Sequence, residues 1–113
     1  MSVTIYHNPR CSKSRQTLAL LQENGVQPTV VEYLQTPPAV DELKRILGLL
    51  GLAARDIVRT KEAGEEGIDP AALDEAALVR AIHAHPRIMQ RPIVVTGEGA
   101  AVGRPPENVL EIL

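Results

Sequence analysis

One cysteine stands in this chain, and the residues around it are nearly all polar or basic: His7-Asn8-Pro9-Arg10-Cys11-Ser12-Lys13-Ser14-Arg15. The β-branched run Val3-Thr4-Ile5-Tyr6 comes before it, and an apolar run at helical spacing, Thr17 to Leu21, comes after. This order predicts a strand, a loop and a helix, with Cys11 where the helix begins. The first turn of a helix holds N–H groups without intrahelical partners, and the helix dipole makes that end electropositive. A thiol placed there ionises more readily, and the thiolate is the nucleophile. Arg10, Lys13 and Arg15 add positive charge, and no acidic residue precedes Glu23. The stretch therefore offers an activated cysteine beside backbone donors able to hold an anion. Ser14 occupies the fourth place of a C-x-x-C spacing, so no resolving thiol lies in the loop, and any adduct on Cys11 must be resolved by an outside thiol. His7 is placed to hydrogen-bond within the loop or to tune the thiolate.

The elements that must position this loop are legible in order. Residues 3–6 form a strand. Residues 12–24 form a helix with Thr17, Leu18, Leu20 and Leu21 as its inner stripe, stopped by Gly25. Residues 29–34 form a second strand, parallel to the first because a helix connects them. Thr36-Pro37-Pro38 breaks the pattern. Asp41-Glu42 open a helix over 39–50, with Val40, Leu43, Ile46, Leu47 and Leu50 at spacing three and four, and Gly51 ends it. A short helix follows over 52–58. Thr60 to Asp69, with Gly64 and Gly67 among charges, is expected to be a loop. Pro70 opens a helix running to His85, and Pro86 stops it. Ile93 to Thr96 is a third strand, Glu98-Gly99 a hairpin turn, Ala100 to Gly103 a weak fourth strand, and Pro105-Pro106 the start of a last helix. The sum is a β-α-β unit, a helical insertion over about 36–88, and a β-β-α unit. That is the α/β order of a thioredoxin-like domain with a mixed four-stranded sheet. Such domains place a cis-proline before the third strand, next to the active cysteine, and Pro92 is the candidate.

The whole-chain numbers bound the function. At 113 residues the chain is expected to fold as one domain, residues 1–113, and as a monomer. Aromatics are 2% (two Tyr, no Trp or Phe), which argues against the base-stacking platforms of single-stranded nucleic-acid binders. A net charge of −2 gives no general attraction to polyanions, so no nucleic-acid partner is expected. Charge is unevenly spread: most acids lie between Glu32 and Glu75, whereas Arg80 to Arg104 sets four arginines against Glu98 alone. Two basic zones thus flank an acidic middle. One cysteine cannot form an internal disulfide, and no run has the length of a signal core or membrane span. A reducing cytoplasm and no membrane partner are expected. One Cys and scattered His residues supply no tetrahedral set, so no metal is expected.

Taken together, several motifs give a more specific reading. Tyr6-His7-Asn8-Pro9 leads to Cys11 and Ser14-Arg15; Tyr33-Leu34 is followed by Pro37-Pro38; then come Arg59, His85-Pro86, Arg91-Pro92-Ile93-Val94-Val95 and Gly103-Arg104-Pro105. In these, over nearly its whole length, the chain resembles the glutaredoxin-coupled arsenate reductases. The resemblance implies the thioredoxin-like fold and the reduction of arsenate to arsenite. The cysteine, here Cys11, would form a covalent thiol–arsenate adduct, with glutathione as co-substrate, glutaredoxin as partner and no bound cofactor. By position the arsenate-holding arginines fall on Arg59, Arg91 and Arg104, and Ser14 falls beside them as a substrate-binding residue. The histidine of the cysteine loop falls on His7. The segment Glu62 to Asp69 departs from the family in being short and without an aromatic residue.

Two other readings share the fold. Spx-type regulators bind RNA polymerase and usually carry a C-x-x-C switch, which Ser14 removes. A glutathione-dependent thiol reductase without arsenate specificity would not need the three arginines. Phosphatase-type loops require an arginine six residues after the cysteine, where this chain has Thr17, and no Walker A glycine pattern is present.

Overall fold

The computed structural model describes residues 2–113, and it divides them into two compact units. One takes the chain up to Thr36 together with Arg91–Leu113; the other takes Pro37–Gln90.

The first unit is built on strand β1 (Thr4–His7). Strand β2 (Thr29–Glu32) lies parallel to it, pairing Thr4 with Thr29 and His7 with Glu32. Strand β3 (Ile93–Val95) lies antiparallel on its other side, and β4 (Ala100–Val102) pairs with β3 as a hairpin, giving the order β2-β1-β3-β4. This is the expected thioredoxin-like mixed sheet. The hairpin turn is held by Thr96, whose Oγ1 accepts from the N–H groups of Glu98 and Gly99 at 3.3 and 3.0 Å. Helix α1 (Ser12–Glu23) covers the sheet. Its end is a Schellman motif: Gly25 takes φ 77°, its N–H reaches Gln22 O, and Val26 N–H reaches Leu21 O, both at 3.0 Å. Leu21 lands in a cluster with Val3, Ile5, Val94 and Val109, which Leu18, Leu20 and Val26 flank. Each such buried aliphatic side chain contributes roughly 1.5–3 kcal/mol. Both tyrosines, Tyr6 and Tyr33, are buried as well, so the core is not wholly aliphatic. The last segment, Pro106–Ile112, is a 3₁₀ helix rather than the expected α-helix, and it places Val109 in the same cluster. The Arg91–Pro92 bond is cis, as expected; Arg104–Pro105 is cis as well, which the sequence reading did not anticipate.

The second unit is helical. Helix α2 (Val40–Leu50) buries Leu43, Ile46 and Leu47 and ends at Gly51 with φ 68°. Two expectations need correction here. Thr60–Glu65 is a short helix, α3, not a loop. A helix this short is unstable alone, but Ala63 is fully buried. Gly67 is its Schellman stop, with φ 73° and Ile68 N–H on Ala63 O at 2.8 Å. The glycines that suggested a loop include the residue that ends a helix. Next, helix α4 (Glu75–Ala84) starts five residues later than expected. Pro70–Ala72 forms its own 3₁₀ turn, capped by Asp69, and Asp74 Oδ1 accepts from Ala77 N–H at 2.8 Å to cap the helix proper. Helix α4 buries Leu78, Val79 and Ile82.

Candidate active site

The loop between β1 and α1 is fastened from within. Cys11 N–H donates to Asn8 O at 3.0 Å, and Asn8 Oδ1 accepts from Arg10 N–H at 3.0 Å. Ser14 is fully buried. Its Oγ accepts from Asn8 N–H at 3.0 Å and lies 2.6 Å from His7 Nδ1. Arg15 Nη1 closes the outside of the turn on Pro9 O at 2.9 Å. Cys11 itself takes extended φ/ψ values of −91° and 123° at the mouth of α1, whose first turn carries no acid.

The Cys11 sulfur is partly exposed, and its pKa is lowered from that of an ordinary thiol. Burial is the largest single influence and pushes the other way. The backbone N–H of Ser14, the Arg91 guanidinium and the backbone N–H of Lys13 together outweigh it, and the charge of Arg91 adds to them. All of these favour the thiolate. Arg104 also reaches the sulfur, with Nη2 at 3.5 Å, while its Nε donates to Arg91 O at 2.7 Å. That second bond ties the two arginine-bearing segments together. The first unit thus gathers the Ser14 N–H, Arg91 and Arg104 around the Cys11 sulfur, with His7 held on the Ser14 hydroxyl. A negatively charged tetrahedral group suits two forked guanidiniums and a ring of N–H donors.

His7 ends β1 and Ser14 lies in the first turn of α1, and their side chains are engaged with each other. The Ser14 hydroxyl is occupied inside the loop; its peptide N–H is what faces the sulfur. The His7 pKa is lowered, first by burial, with Glu32 opposing and Arg15 assisting. The lowering favours the neutral ring, which contacts the Ser14 hydroxyl. Asn8 was overlooked as a site residue. The Asn-Pro pair was a usable signal, because an Asn side chain readily closes a turn on the backbone two residues ahead.

Arg59 belongs to the second unit, immediately before α3. Its Nη1 donates to Gln90 Oε1 at 2.9 Å, and its Nε and Nη2 lie 3.3 and 3.4 Å from the Glu62 carboxylate. Two nearby histidines have structural partners: His83 Nδ1 lies 2.8 Å from Pro38 O, and His85 Nδ1 lies 2.9 Å from Glu66 Oε1. Among the described residues no group of three or more His, Cys, Asp or Glu could hold a metal ion, and no helix is long and apolar enough to cross a membrane.

Residues 6–112 match the ArsC family. The arsenate reductase of Neisseria meningitidis serogroup A is 52% identical over 98% of this chain and 97% of its own length. The uncharacterized protein YfgD of Escherichia coli is also 52% identical, over 98% of this chain and 96% of its own. Among solved structures, the arsenate reductase from Vibrio cholerae superposes with a TM-score of 0.93 at 51% identity, covering 100% of this chain and 98% of that one.

Proposed function

The chain belongs to the ArsC family, and we propose that it reduces arsenate to arsenite through a covalent adduct on Cys11, with electrons from glutathione and glutaredoxin. The observation that carries this reading is a lone sulfur with a lowered pKa at a helix mouth, 3.5 Å from the Arg104 guanidinium. Relatives named arsenate reductases, about half identical across nearly the full chain, support the substrate.

In the first step the Cys11 thiolate attacks arsenic. A sulfur–arsenic bond forms, an arsenic–oxygen bond breaks, and the oxygen leaves as water after taking up protons. Arsenic remains pentavalent. Arg91 and Arg104 hold the remaining oxygens, where charge builds during the substitution, and the N–H groups of Lys13 and Ser14 keep the sulfur ionised beforehand. Arg59 is assigned to the same oxyanion by the resemblance. Reduction to trivalent arsenic needs two electrons, supplied by two thiols that end as a disulfide. The only cysteine holds arsenic, so both thiols come from outside, glutathione first and then glutaredoxin. Water then displaces the Cys11 sulfur from trivalent arsenic, releasing arsenite and restoring the thiolate. A reducing cytoplasm is the compartment in which such thiols are abundant.

The test is a coupled assay with arsenate, glutathione, a glutaredoxin, glutathione reductase and NADPH. Arsenate-dependent NADPH oxidation is expected, and Cys11→Ser is expected to abolish it while leaving the circular dichroism spectrum unchanged. Turnover by the serine variant would refute the adduct. Disulfide reduction by the wild-type chain without any response to arsenate would favour a general thiol reductase of this fold.

A further inference from the structure

Three segments of the first unit meet at Gly103. A Cβ placed on Gly103 would stand 2.6 Å from Thr17 Oγ1, 2.8 Å from Pro92 Cγ and 3.1 Å from Thr17 Cγ2. Two of these distances are shorter than any Cβ contact a protein tolerates. The glycine does not adopt a positive φ, so what the position demands is space rather than backbone freedom. Nor can the neighbours give way. Thr17 is fully buried with its hydroxyl donating to Lys13 O at 2.8 Å, and Pro92 is a ring whose own carbonyl accepts the Gly103 N–H at 2.9 Å.

Each of the three segments carries one member of the site. Thr17 lies on the helix whose mouth holds Cys11. Pro92 directly follows Arg91. Gly103 directly precedes Arg104. A side chain at 103 would have to lift the end of β4 away from α1. That movement would strain the Arg104 Nε bond to Arg91 O and draw Nη2 away from the sulfur. We propose that Gly103 is a positioning residue for the anion site: its missing side chain sets the gap between α1 and the segments bearing Arg91 and Arg104. The stand-off of both guanidiniums from the Cys11 sulfur follows from that gap. The proposal rests on reading this pocket as an oxyanion site, but one of its readouts, the titration of the thiol, does not.

The experiment compares Gly103→Ala, Thr17→Ala and the double variant with wild type. Thiolate absorbance is followed against pH, and inorganic arsenate binding is measured by calorimetry. Gly48→Ala serves as the control, because a Cβ there meets nothing within 4 Å. For Gly103→Ala the Cys11 titration moves up toward an ordinary thiol. Arsenate binds about tenfold or more weakly, as expected for one displaced charge-assisted hydrogen bond, and KM rises more than kcat falls. Thr17→Ala removes two of the three close contacts, so adding it recovers part of both losses, the Pro92 contact preserving the rest. Gly48→Ala changes neither. The proposal is overturned if Gly103→Ala folds with wild-type titration and affinity, or if the double variant is as impaired as the single one. Should Gly103→Ala alone not fold, the double variant is judged against Thr17→Ala, and identical titrations of those two overturn it. A wild-type chain that binds no arsenate would sink the oxyanion reading and leave the titration to decide on Gly103.

Discussion

The Cys11 loop and the segment from Arg59 to Glu66 are both short, and they are held in contrasting ways. The loop is fastened from within by buried partners without formal charge, Ser14 at 0% exposure, His7 at 6% and Asn8 at 9%, and Arg15 closes only its outer side. The Arg59 segment is fastened by ion pairs of Arg59 with Glu62 and Arg87 with Glu65, beside a hydrogen bond between His85 and Glu66. The difference extends to the cations. Arg104 donates its Nε to a neutral peptide carbonyl, so its charge remains available to a thiolate or an anion. Arg59 already faces a carboxylate, and in the proposed role an incoming anion would have to compete with Glu62 for it. Buried hydrogen bonds resist salt and give a fixed geometry. Partly exposed pairs are screened and exchange partners easily.

The contrast can be broken most severely at Arg104. Arg104→Gln is expected to lower kcat/KM for arsenate by about 10- to 100-fold, the range for a lost charged hydrogen bond, and to raise the pH at which Cys11 alkylates. An unchanged alkylation profile would mean that this cation does not serve the sulfur. Next comes Ser14→Ala, which leaves Asn8 N–H unsatisfied and should cost roughly 1–3 kcal/mol of folding stability. Denaturant melts in low and high salt should show the same loss, because no ion pair is involved. Glu62→Gln should act in the opposite direction and more weakly: releasing Arg59 tightens arsenate binding about two- to fivefold, on the scale of a partly exposed pair. Calorimetry showing weaker binding would place the carboxylate on the side of the anion rather than against it.

The smallest effect concerns pH. The folded-state pKa of Cys11 lies below that of an ordinary thiol, so folding favours the ionised form. The stability this contributes is fully present above the unfolded thiol's pKa and is lost as pH falls through the lowered folded value. Wild type should therefore gain on Cys11→Ser as pH rises from 6 toward 9.5, as read from paired denaturant melts. A difference independent of pH would contradict the lowered pKa.

The first unit was legible because its signals are local and mutually consistent. A β-branched run, a basic loop and a glycine-stopped helix each point to the same β-α-β unit, and the arginines flank recognisable prolines. The second unit was harder. Gly64 and Gly67 read as loop residues because propensity takes no account of Ala63 finding a buried place and Glu65 finding Arg87. Pro70 read as a helix start, although Asp69 and Asp74 compete as caps and the later one begins the helix. Long-range requirements stayed hidden altogether. Nothing in the sequence around Gly103 says that Thr17, far away in the chain, leaves no room for a methyl group.

A lone, partly exposed sulfur with a lowered pKa is also open to oxidation. The features that ready Cys11 for a substrate ready it equally for peroxide, since oxidants attack the same anion. A sulfenic acid formed there would find no second thiol within the chain to trap it as a disulfide. On the proposed mechanism, the pool of small thiols that would complete turnover would also keep this residue from irreversible damage.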